Sequence, residues 1–191
     1  LAVLSEESGV TGDRSAPLLA VIDPVDGSTN AHRGIPFYAT SICVLDAEGP
    51  LVGVVVNQAT GRHFEAVRGG GARRDGEIIS PSGCTELSAA IVGISGFPGT
   101  HPGWAQFRAL GAAALEFCAV AEGMLDAYSV VGSSTLFGWD YLAGLLICHE
   151  AGAVTMERDG ADPVVRDAGT RRPVVAATAE LVAQLHAQSD L

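Results

Sequence analysis

An α+β fold of layered sheets and helices is predicted by three features of this sequence. Apolar runs of strand length alternate with a few longer, helix-like segments. The strand runs follow one another as a meander rather than as regular strand–helix–strand units, and no linker-like stretch divides the chain. The 191 residues therefore read as one domain spanning 1–191. Hydrophobic residues make up 48% and charged residues 17%, which excludes a disordered chain.

Taken in order, residues 1–4 read as a short strand. Residues 18–22 are an apolar run that the turn signal Asp23-Pro24 stops. Residues 37–45 and 51–56 are rich in β-branched side chains and are separated by a turn at 46–50; a further turn at 57–61 leads into a strand at 62–67, completing an antiparallel meander. The tract Gly69-Gly70-Gly71 is a sharp turn requiring positive φ, not a nucleotide fingerprint, because no apolar-periodic helix follows it. A strand at 89–94 and a loop at 96–103 precede a helix at 112–122, closed by Gly123, and a strand at 124–128. Residues 139–151 give the clearest helix, with Leu142, Leu145, Leu146 and His149 on one face and Gly152 ending it. A strand at 174–177 and a helix capped by Thr178 and running through Leu185 complete the chain.

Charge and composition remove whole classes of function. Asp and Glu total 22 against 11 basic residues, and a net charge of −11 repels phosphodiester backbones, so no nucleic-acid partner is expected. Every basic residue is Arg; without Lys, neither Schiff-base chemistry nor a Walker lysine is available. Cys43, Cys84, Cys118 and Cys148 form no CxxC pair or Cys/His cluster, and read as buried free thiols in a reducing compartment. No apolar run reaches the ~18 residues of a membrane span, and Leu1-Ala2-Val3-Leu4 meets Glu6-Glu7 too soon for a signal core, so a cytoplasmic protein without membrane association is expected.

Acidic residues gather where strands and helices end. In Asp23-Pro24-Val25-Asp26-Gly27-Ser28-Thr29-Asn30, two carboxylates stand three positions apart on a turn that Pro24 stiffens and Gly27 lets other groups approach. Carboxylates so close raise each other's proton affinity unless a cation sits between them, and oxygen donors without Cys or His point to Mg²⁺. Residues after Asp26 that open a helix present free N–H groups to an anion; a plain turn with Asp26 as a helix cap is the other reading, and the octapeptide leaves both open. Ser5-Glu6-Glu7-Ser8-Gly9 is a second acidic turn after a strand, readable also as a solvated loop. Asp140, at the start of the best helix, reads first as an N-cap and otherwise as a ligand, two roles that compete for one carboxylate.

Together these segments resemble the inositol monophosphatase family of Mg²⁺-dependent, lithium-sensitive phosphatases. The octapeptide Asp23 to Asn30 carries the resemblance, with Trp139-Asp140-Tyr141-Leu142-Ala143-Gly144 running to Glu150-Ala151-Gly152. Glu6-Glu7-Ser8, Gly71-Ala72, Arg108 with Gly111-Ala112-Ala113, and Arg172-Pro173-Val174-Val175-Ala176-Ala177 support it in the same order. The resemblance implies a layered αβαβα sandwich of the sugar-phosphatase type, here without the N-terminal helix pair.

It further implies that Glu7, Asp23 and the Val25 carbonyl hold one Mg²⁺, that Asp23, Asp26 and Asp140 hold a second, and that Glu7 helps hold a third. Glu7 and Ser28 would be catalytic, Ser28 positioning the attacking water. Gly27 and Ser28 amides would grip the phosphate, and Asp26, Gly111 and Ala113 would meet the alcohol half of a small phosphorylated metabolite. Inositol 1-phosphate is the first substrate expected; fructose 1,6-bisphosphate, histidinol phosphate and adenosine 3′,5′-bisphosphate are the alternatives, as is a metal-binding regulatory protein with little turnover. Residues 129–135 lack the acid that inositol-specific members present there, and Ala112 stands where Ser or Thr is usual. A homodimer is expected, both from the resemblance and because an uncovered apolar sheet face favours association.

Overall fold

Residues 1–188 are described by the computed structural model; the last three residues of the expected 1–191 domain lie outside the described residues. The first half of the chain builds an eight-stranded sheet. Its strands are β1 (Ala2–Ser5), β2 (Gly9–Gly12), β3 (Leu19–Asp26), β4 (Ala39–Asp46), β5 (Gly49–Asn57), β6 (His63–Val67), β7 (Ala72–Arg74) and β8 (Glu77–Ile78). They lie in the order β2-β1-β3-β4-β5-β6-β7-β8, antiparallel except for the β1–β3 pair. The helix α1 (Ser28–Arg33) is a short excursion between β3 and β4.

The second half adds β9 (Ile91–Ser95), β10 (Gln106–Arg108), α2 (Ala113–Ala121), β11 (Ala127–Val130), β12 (Leu136–Phe137), α3 (Gly138–Ala151), β13 (Val154–Glu157), β14 (Thr170–Arg171), β15 (Pro173–Ala176) and α4 (Ala179–His186). A five-stranded sheet runs β10-β9-β11-β15-β13, and β12 pairs with β14.

Two cores fix the layers. Leu4, Val21, Cys43, Val55 and Phe64 of the first sheet pack with Phe117 of α2 and Leu142 and Ile147 of α3, and the same cluster reaches Tyr128 and Val175 of the second sheet. Behind the second sheet, Val92, Ala127 and Val174 pack with Leu181 and Leu185 of α4. The order is sheet, helix pair, sheet, helix, as the α+β reading requires. On the far side of the first sheet, Ile22, Ile42, Val44, Val54 and Val56 are only half-buried.

Several expectations change in detail. The strand expected at 124–128 begins at Ala127, because residues after α2 form its C-terminal turn: Gly123 takes φ +77 and Met124 is 61% exposed. The single apolar face expected on α3 is instead burial nearly all round, since the helix lies between two sheets; of the four residues placed on that face, His149 is exposed. Cys43, Cys118 and Cys148 are buried free thiols as expected, whereas Cys84 is only half-buried. Thr178 caps α4, its Oγ1 accepting the Leu181 N–H at 3.2 Å.

Candidate active site

The site begins with an irregularity in β3. Asp23 pairs with Ser41 and Asp26 with Ala39, so three steps along β3 match two along β4. Strict alternation would send Asp23 and Asp26 to opposite faces of the sheet; the one extra residue returns both to the same side. The kink is held by local chemistry. The Val25 N–H donates to Asp23 Oδ1 at 2.8 Å. Pro24, with no N–H to leave unpaired, offers its carbonyl to Thr40 Oγ1 at 3.0 Å and Gln58 Nε2 at 2.8 Å. Val25 thus sits on the bulge itself, between two acids that are 2% and 8% exposed.

Asp140 arrives from the other side. Helix α3 starts at Gly138, and the Trp139 carbonyl accepts the Ser41 Oγ hydrogen bond at 3.0 Å, fastening the helix start to β4. Asp140 lies in the first turn rather than at the N-cap, and its Oδ2 accepts the Phe137 N–H at 2.8 Å. A carboxylate has two oxygens, so helix capping and a ligand role coexist. One carboxylate oxygen from each of Asp23, Asp26 and Asp140 lies within 4.8 Å of the others.

The fourth acid corrects the sequence reading. Glu6, not Glu7, stands beside Asp23. In the parallel β1–β3 pair Leu4 is opposite Val21 and Ser5 opposite Ile22, and the Glu6 N–H continues the ladder to the Ile22 carbonyl at 3.3 Å. Glu6 therefore falls level with Asp23, on the side that Leu4 and Val21 share, whereas the next residue turns away. Its carboxyl group hydrogen-bonds with Asp23, and its charge acts on both Asp23 and Asp140. Glu7 is exposed in the turn.

The remaining expected residues gather around Asp26. Gly27 holds φ +82 and opens α1, whose first residue, the exposed Ser28, lies directly after the acids. A Cβ on Gly27 would stand 2.9 Å from the Ala112 Cβ and 3.0 Å from the Gly111 carbonyl, so the two loops pass in close contact there. Asp26 Oδ2 accepts the Ala114 N–H at 2.7 Å, which caps α2 from a distant strand and brings Gly111 and Ala113 beside the acids. Asn30, read in the sequence only as a mark of the inositol type, has a structural task that the sequence did not show: its Nδ2 donates to the carbonyls of Phe37 (2.8 Å) and Leu110 (2.7 Å), tying the two loops together.

With this arrangement in view, comparison with known proteins is decisive. The sequence model of the inositol monophosphatase family matches residues 1–190. The chain belongs to the inositol monophosphatase family. Among family relatives, it is 36% identical to the chloroplastic phosphatase IMPL1 of Arabidopsis thaliana over 179 residues, covering 83% of this chain and 47% of that protein. It is 32% identical to Nus factor SuhB of Pasteurella multocida, covering 83% and 63% of the two chains. Among solved structures, a Pyrococcus horikoshii protein described as similar to inositol-1 monophosphatase superposes with a TM-score of 0.88 at 28% identity, covering 100% of this chain and 77% of the other. The chain thus spans about half to two thirds of the length of these two curated relatives.

The electrostatics of this inositol monophosphatase-family site favour a cation. Burial, then the Glu6 charge, raises the Asp23 pKa from 3.8 to about 7, and burial raises Asp140 to about 6. Burial, with the neighbouring acids adding to it, also holds Asp26 well above the ordinary carboxylate range. The ion pairs seen among the described residues lie elsewhere, around Arg62, His63, Arg68 and Arg74. Clustered hard oxygens without a basic partner suit a divalent ion such as Mg²⁺.

The raised values set a pH dependence. Between about 3.8 and 7 the folded, metal-free protein binds more protons at these acids than the unfolded chain does. Their contribution to stability is complete below the unfolded value and is lost as pH rises through the folded one. The metal-free protein is expected to lose thermal stability from about pH 4 to about pH 7, while its apparent affinity for Mg²⁺ rises over the same interval. Thermal unfolding with chelator and with Mg²⁺ across this range checks it; a metal-free Tm that climbs with pH contradicts it.

Proposed function

We propose that the protein is a Mg²⁺-dependent hydrolase of a small phosphate monoester, inositol 1-phosphate first among its substrates. The observation that carries this reading is the meeting of Asp23, Asp26 and Asp140, from two distant parts of the chain, with their oxygens within 4.8 Å. Glu6, Asp23 and the Val25 carbonyl would hold one ion, and Asp23, Asp26 and Asp140 a second; Glu6 takes the place first assigned to Glu7, including its share in a third. When bound, Mg²⁺ supplies the Lewis acidity that lowers the pKa of an attacking water and neutralises charge on the leaving alcohol oxygen.

The protein's own groups do the rest. Four carboxylates concentrate about four negative charges, so the dianionic phosphate enters only after cations have offset them. The amides of Gly27 and Ser28 grip the phosphate, the Ser28 hydroxyl orients the water, and Asp26, Gly111 and Ala113 face the alcohol. Ser28→Ala is therefore expected to lower kcat about 10²-fold, with Mg²⁺ affinity within about twofold of wild type. Equal losses in phosphate release and in calorimetric Mg²⁺ binding would remove Ser28 from the water-positioning role.

The test of the whole reading is phosphate release from inositol 1-phosphate, fructose 1,6-bisphosphate, histidinol phosphate and adenosine 3′,5′-bisphosphate, with Mg²⁺ and with chelator. Release that needs the metal supports it, and release from none of them defeats it. Likeness to a protein named as a Nus factor favours one second reading, a regulatory metal-binding protein; Mg²⁺ binding without turnover would select it. A cytoplasmic homodimer is part of the proposal. No helix among the described residues is long and apolar enough to cross a membrane.

A further inference from the structure

Glu116 is a buried acid to which the proposed chemistry gives no task. It lies in the first turn of α2 and is 1% exposed. Burial of an acid among apolar helices costs free energy unless its oxygens are hydrogen-bonded. Here they are: Oε1 accepts the Leu110 N–H at 3.3 Å, and the N–H groups of Gly111 and Ala112 also donate to this carboxyl group. Three consecutive amides thus turn inward onto one side chain. From the opposite side, Asn30 holds the Leu110 carbonyl at 2.7 Å, and Gly111 keeps φ +82 with Asn30 Nδ2 3.3 Å from where its Cβ would stand. The segment that leads into Ala113 is clamped between the two.

We propose that Glu116 is a positioning residue that holds residues 110–112 in the conformation by which Gly111 and Ala113 meet the alcohol half of the substrate, while it touches neither substrate nor metal. This rests on the phosphatase reading above. A side chain that only filled space between α2 and the second sheet would be replaced by Leu with little effect on the loop. A side chain that positions the loop is rescued by Gln, whose carbonyl still accepts an amide.

The experiment compares wild type, Glu116→Leu and Glu116→Gln. In hydrogen exchange, the amides of 110–112 are expected to exchange at least about tenfold faster in Glu116→Leu, with α3 and β4 unchanged; Glu116→Gln stays within about threefold of wild type. Binding is read by calorimetry with Ca²⁺ replacing Mg²⁺. Inositol 1-phosphate is expected to bind about tenfold more weakly to Glu116→Leu, inorganic phosphate and the metal equally well. In turnover the same variant raises KM and leaves kcat within about threefold.

Unchanged exchange, or equal weakening of monoester, phosphate and metal, overturns the proposal. Wild type that binds the monoester with this split yet never hydrolyses it defeats the phosphatase reading and leaves the positioning role standing. Hydrolysis by wild type without the split does the reverse. Should Glu116→Leu fail to fold, Glu116→Gln against Glu116→Asp, whose shorter arm cannot span to all three amides, gives the same comparison.

Discussion

Asp140→Asn is expected to lose about 10³-fold in kcat, equivalent to about 4 kcal/mol of transition-state stabilisation, while remaining folded. The two consequences come from different oxygens. The substitution removes a charge from a three-acid cluster whose members lie within 4.8 Å, so the second metal position is weakened where the leaving group needs it. Asn Oδ1 can still accept the Phe137 N–H that Asp140 Oδ2 accepts at 2.8 Å, so the start of α3 keeps its cap. Loss of one buried charge also relieves repulsion on Asp23 and Asp26. The metal-free variant should therefore melt no lower than wild type at about pH 8. Phosphate release and thermal unfolding measured side by side decide it. Retention of a tenth of the activity would show that the cluster is not the reactive centre.

Gly144→Ala should cost about 2 kcal/mol of stability, against the usual benefit of Ala in a helix. Ala gains about 1 kcal/mol over Gly in a helix interior. A Cβ at this position would stand 2.5 Å from the Phe117 Cβ, and Phe117 is fully buried, so α2 and α3 must separate. Overpacking of this kind costs about 3 kcal/mol at the upper end of its usual range, and it wins. Because α2 carries the Ala114 amide bound to Asp26, the separation also reaches the site. Urea unfolding measures the loss; a variant as stable as wild type would mean that the helix pair yields at this contact without cost.

How far the sequence could be read follows from the range of the interactions that decide each feature. The meander from β4 to β6 and the helix α3 were legible because alternation and periodicity are local. Strands β7, β8, β10, β12 and β14 have three residues or fewer, too short for a pattern, and their partners create them. Asp23, Asp26 and Asp140 were legible as acids at element ends within a recognisable motif. Glu6 against Glu7 was not, because two adjacent carboxylates look alike until the parallel register of β1 on β3 is known. Leu4 and Val21, two residues earlier in each strand, carry the signal that would have chosen correctly. Asn30 and Glu116 act through the loop around Leu110, far from Asn30 in sequence, and no spacing rule reports such a contact.

The kink between Asp23 and Asp26 makes chain length there as decisive as residue type. Removing Val25 would straighten β3 into regular pairing with β4; Asp26, then two positions after Asp23, would keep its face, but the Val25 N–H that holds Asp23 and the Val25 carbonyl assigned to the first ion would be lost with every acid still encoded. Adding a residue there would turn Asp26 to the opposite face of the sheet and take it out of the cluster. Gln58, in the turn at 57–61, holds the Pro24 carbonyl of the kink, so surviving length variants of this protein should avoid that turn as well as the stretch from 23 to 26.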